Sequence, residues 1–63
     1  MMKPILGPGA KLKGYIREGN DRVELLAPGG QMLGIYLVKL NQTIRPGGTL
    51  VGYGNVLMSL LED

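Results

Sequence analysis

The chain has 63 residues, 44% hydrophobic and 19% charged, with a formal net charge of +2. It contains neither cysteine nor histidine, which excludes disulfide staples, zinc or copper sites built on soft ligands, and catalysis by thiolate or imidazole. This length gives one small domain, 1–63, burying only about 60% of its unfolded surface, so oligomerisation is the expected staple.

Short extended runs rich in Ile, Leu, Val, Thr and Tyr predict strands near residues 3–6, 11–17, 22–27, 31–38, 42–45 and 49–54. Pro8-Gly9 stands between the first two, Pro28-Gly29 between the next two, and Pro46-Gly47 between the last two. Proline presets φ for the second position of a turn, and glycine accepts positive φ at the third. A further glycine, Gly30 or Gly48, follows in the second and third turns. The first has Ala10 there instead, so it reads as a plainer type II turn. Each turn with its flanking strands makes a β-hairpin, at 3–17, 22–39 and 42–54, with polar joins between them.

The remaining segment, 55–63, reads NVLMSLLED and fits two structures. As a helix it would be capped by Asn55, with Val56, Leu57, Leu60 and Leu61 on one face. As a strand it would pair with the N-terminal strand and close a ring, and this is the expectation. No apolar run is long enough to span a bilayer as a helix, which sets the expected location as cytoplasmic.

The three hairpins repeat one pattern. An apolar residue stands two positions before each proline (Leu6, Leu26, Ile44) and another four positions after it (Leu12, Met32, Leu50). Six positions after each proline stands Gly14, Gly34 or Gly52. Coincidence over so many columns marks an internal repeat. The expected fold is all-β: three pseudo-symmetric β-hairpin repeats in one compact domain, with those glycines where backbones crowd a common axis. A single hairpin cannot cover its own apolar face, and three can cover one another.

Hairpins of the form apolar residue, turn, glycine, two or three residues, Gly-Tyr resemble those of the four-fold β-flower domains, in which short hairpin petals surround a central axis. The resemblance spans most of the chain. It implies petals about an axis, with three Pro-Gly turns present and a fourth petal either made by the meeting of the termini or missing. It transfers no functional residues.

Strand alternation sorts the second strand of each hairpin into faces. In the first hairpin Lys11, Lys13, Tyr15 and Arg17 fall on one face, where cations can hold phosphate and a ring can stack a base. Arg45 and Tyr53 extend this candidate ligand-binding set in the third hairpin. In the second hairpin Leu33, Ile35 and Leu37 make an outer face as apolar as the inner one, and a strand apolar on both faces is normally covered on both. These three are the candidate oligomer interface, with the C-terminal segment as the rival cover.

No catalytic constellation stands out. Ser59 has no partner beside it in the sequence, and residues 7–14 lack the Gly-Lys-Ser/Thr ending of a phosphate-binding loop. The expectation is a non-enzymatic, homo-oligomeric binding protein without a cofactor or a membrane partner. It would capture a small anionic, nucleotide-like ligand in a pocket between subunits, sequestering it as some viral counter-defence proteins do. The alternatives are a protein–protein interaction module using Leu33, Ile35 and Leu37, and a nucleic-acid-binding module using the Lys11–Arg17 face.

Overall fold

The computed structural model describes residues 2–61. The protein is all-β: a six-stranded antiparallel sheet in which every strand pairs with its neighbour in sequence. The strands are β1 (Met2–Leu6), β2 (Leu12–Glu18), β3 (Arg22–Leu26), β4 (Met32–Leu37), β5 (Gln42–Ile44) and β6 (Leu50–Tyr53). Each falls on one of the runs predicted from the sequence.

The three hairpins match residue for residue. Leu6 faces Leu12, Leu26 faces Met32 and Ile44 faces Leu50 as the last pair before each turn. One level further in, Ile5 faces Gly14, Leu25 faces Gly34 and Thr43 faces Gly52. Between these two levels the second strand gains one residue, giving a bulge at Lys13, Leu33 and Val51. The turns share their closing bonds, although the positive φ expected at their third residue is found at Gly9 and Gly47 and not at Gly29. Their first residue donates its N–H to the carbonyl of the fifth, from Gly7 to Lys11, Ala27 to Gln31 and Arg45 to Thr49, at 2.7–2.8 Å.

The fourth residue of each turn is left-handed: φ is 62° at Ala10, 94° at Gly30 and 98° at Gly48. In the first turn Gly9 has the positive φ, 71°, that a type II turn requires at its third position, and the left-handed Ala10 follows it. Ala10 is held where glycine is the low-strain choice, and an L side chain there costs about 1–2 kcal/mol. Ala10→Gly is expected to stabilise the protein by about 1 kcal/mol, read as a raised urea midpoint with an unchanged slope.

The junctions between hairpins also share one register. Tyr15 faces Leu26 and Ile16 faces Leu25 at the first, and Ile35 faces Ile44 and Tyr36 faces Thr43 at the second. Counted from the prolines, these are the same positions. Each hairpin is thereby stepped along the sheet. Ile16, two residues beyond Gly14, is level with Gly34 through Leu25. Tyr36, two beyond Gly34, is level with Gly52 through Thr43. The three repeated glycines therefore form a diagonal track across one face.

The C-terminal segment corrects the expectation of a closing strand. Leu57–Leu61 is a short 3-10 helix, and its main contacts are with β4. The described part of the N-terminal strand pairs with β2 alone, so no ring is closed by the termini. Asn55 caps the turn as the helical alternative required, accepting the Leu57 N–H at 3.2 Å. Thr43, fully buried, ties the segment to the sheet: its hydroxyl donates to the Gly54 carbonyl at 2.7 Å and accepts the Val56 N–H at 3.1 Å.

The glycine track is the seat of this segment. A Cβ on Gly34 would collide with Leu60 and come within 3.3 Å of Leu57, and one on Gly14 would lie 3.5 Å from Leu61. A Cβ on Gly52 would lie 3.5 Å from Val56. The core is small: Leu25, Leu26 and Leu57 are its buried hydrophobic residues. Burying Leu57 alone contributes about 2–3 kcal/mol, which is large for a chain of this length. Among the described residues, no helix is long and apolar enough to cross a membrane.

Candidate functional site

Because the sheet is a meander, its two ends differ in chemistry. The three Pro-Gly turns, residues 7–11, 27–31 and 45–49, all lie at one end. The joins 18–22 and 38–41 lie at the other. Among the described residues, Lys11, Lys13 and Arg45 stand at the turn end and no carboxylate does. Glu18 and Asp21 are at the join end, with Lys3, Arg17, Arg22 and Lys39, and Glu24 is the middle residue of β3.

The six expected ligand residues are thus divided. Lys11 and Arg45 are exposed in the first and third turns. They lie on turns attached to β2 and β5, three strand spacings apart and offset further along the strands by the stepping of the hairpins. Lys13 is the bulge residue of the first hairpin and is half-buried. Its stem folds over the turn, where a Cβ on Gly7 would lie 2.8 Å from its Cε. The bulge interrupts simple alternation, so Lys11 and Lys13 do not continue the Tyr15–Arg17 face as expected.

Tyr15 is half-buried in the middle of β2, between Pro4 and Leu26 on the flanking strands. Tyr53 ends β6 at the join end of the sheet and is 71% exposed. Arg17 is at the join end too, and it is engaged. Its Nε donates to Glu24 Oε1 at 2.5 Å, and its second guanidinium nitrogen pairs with the same oxygen.

Glu24, which the sequence offers with Glu18 and Asp21 as an acid of an ordinary polar connection, is instead a buried ion-pair partner. Its side chain is 8% exposed, and its other oxygen lies 3.5 Å from Arg22 Nε. Arg17, Glu18, Gly19, Arg22 and Glu24 line an open depression of about 310 Å³. Two positive and two negative charges line it, so it has no net preference for an anion. With both carboxylate oxygens beside arginines, Glu24 is a structural clamp across β2 and β3. Its signal appears only with the register of the first junction, which sets this acid opposite Arg17.

The expected interface residues Leu33, Ile35 and Leu37 are all half-buried. Leu33 is the bulge residue. Ile35 lies between Glu24 and Ile44, and Leu37 between Arg22 and Gln42. Ile35 and Leu37 point away from the face that seats the C-terminal segment, because they alternate with Gly34 and Tyr36. The segment that was the rival cover lies on the other side.

Comparison with models of known protein families, with curated proteins and with solved structures finds no match.

Proposed function

We propose that the protein is a non-enzymatic, self-assembling binding module that takes a phosphate-bearing, nucleotide-like anion at its turn end. The observation that carries this reading is the composition of the turns: among the described residues they hold the exposed Lys11 and Arg45 and no carboxylate. The glycine-rich turns beside these cations add backbone N–H groups, which suit an oxyanion. Lys11 and Arg45 now lead the site, in place of the Tyr15–Arg17 face. Assembly belongs to the reading because Ile35 and Leu37 are not covered by the C-terminal segment, and a second copy supplies that cover.

Calorimetric titration with nucleoside mono-, di- and triphosphates tests the ligand. Affinity is expected to rise with phosphate number and to fall roughly tenfold or more in the Lys11→Ala/Arg45→Ala double variant, since each charge-assisted hydrogen bond contributes about 1.5–3 kcal/mol. Arg22→Ala at the far end should leave binding unchanged. Absence of binding across the panel would sink the ligand reading. Binding to a DNA duplex alone, with a steep salt dependence, would move it to the nucleic-acid alternative.

A further inference from the structure

Among the described residues nothing requires Gly52 to be glycine. Its φ is not positive, and a Cβ there would make only an ordinary contact, at 3.5 Å from Val56. Its two counterparts do have a reason. A Cβ on Gly14 would collide with the carbonyl oxygen of Leu26, and one on Gly34 would lie 3.2 Å from that of Ile44. Leu26 and Ile44 hold the same place, two residues before the proline of the next hairpin. What Gly52 lacks is a next hairpin.

The same absence is written in exposure. Leu6 is 58% exposed, whereas its counterpart Leu26, which has a hairpin beside it, is 5% exposed. Tyr53 is 71% exposed, and its counterparts Tyr15 and Ile35 are half-buried. Met2 and Leu50 are also exposed, and all four belong to the edge strands β1 and β6. Such apolar edges are templates for pairing.

We infer that β6 of one copy docks against β1 of another in the register of the internal junctions, so that Tyr53 of one copy faces Leu6 of the next. This rests on the self-assembly reading and places its main contact at the sheet edges rather than at the Ile35–Leu37 face. The occupant is argued from the repeat itself. The first internal junction sets Tyr15 opposite Leu26, and the new one sets a tyrosine opposite a leucine at the same two positions. The Leu6 carbonyl then fills the space that Gly52 leaves open. The backbone ladder is short, because the chain turns aside at Gly54 (φ 78°) and Pro4 has no N–H to offer. Side chains carry most of the contact. The contact is head-to-tail, so copies add in one direction until a ring closes.

The experiment is native mass spectrometry over a dilution series, with circular dichroism as the check on folding. Wild type is expected to form a discrete assembly. Leu6→Glu and Tyr53→Glu alter exposed side chains and should each give a folded monomer. Mixed in equal amounts they retain one good edge apiece, and should recover a dimer and nothing larger. Gly52→Ala should likewise stay folded and lose assembly, since the added methyl meets the incoming carbonyl. Retention of the wild-type mass by any of the three variants alone, or a mixture that remains monomeric, overturns the edge contact. If Ile35→Glu dissociates the assembly while the edge variants do not, the edge inference fails and self-assembly through the sheet face stands. A monomeric wild type overturns both.

Discussion

Gly34→Val is expected to lower stability by about 3 kcal/mol, at the upper end of the cost of overpacking. The new side chain meets obstacles from three directions: Leu60, the Ile44 carbonyl at 3.2 Å and Leu57 at 3.3 Å. A carbonyl in a paired strand does not move aside cheaply, so the C-terminal helix must lift. That exposes Leu57, now 1% exposed, and removes a large part of a core this small. Urea denaturation reads the loss, and proteolysis should cut the variant between residues 54 and 61 before the sheet is attacked. Gly29→Ala is the matched control. It has no positive φ, and its nearest neighbour is 3.8 Å away, so its midpoint should hardly move. Equal midpoints for Gly34→Val and wild type would mean that the segment does not sit on the glycine track.

Arg17→Met is expected to cost about 2–3 kcal/mol. Methionine keeps the apolar stem but removes the guanidinium that neutralises Glu24, and a buried charge stripped of its partner is strongly destabilising. Arg22, with its Nε at 3.5 Å and its side chain 56% exposed, is a poor replacement. Arg22→Met should therefore cost less than about 1 kcal/mol, in the range of exposed pairs. Equal losses from the two variants, measured by urea denaturation, would show that Arg17 does not dominate the clamp.

Much of this architecture was legible because local rules agreed with one another. Proline, glycine and an apolar residue at fixed offsets gave the hairpins, and every strand lies where alternation and turn chemistry placed it. The C-terminal segment was misread because an apolar run of this length fits a strand or a helix equally by composition. What decides it is the glycine track, which exists only once three hairpins are stepped against each other. That stepping is a long-range property, invisible in any one repeat. The bulge at Lys13, Leu33 and Val51 defeated the sorting of faces for a similar reason: one extra residue shifts alternation without any mark in composition. The Glu24 clamp was hidden because an acid beside a polar join reads as solvated until its cross-strand partner is known. Lys11 and Arg45 were legible as cations. Their shared end, and its separation from Tyr53, came only with the order of the strands.

The meander also fixes an order of events in time. Each strand pairs only with the strand before or after it in sequence, so every hairpin and junction closes a short loop at small entropic cost. The sheet can therefore grow from its first hairpin as the chain is made. The final helix is different. Leu61 must reach back to Gly14 in the first hairpin while Leu57 and Leu60 settle on Gly34 in the second, so it has nowhere to lie until those hairpins are in register. Its arrival acts as a proofreading step: a slipped or bulge-free register puts a side chain on the track, and the last segment finds no seat.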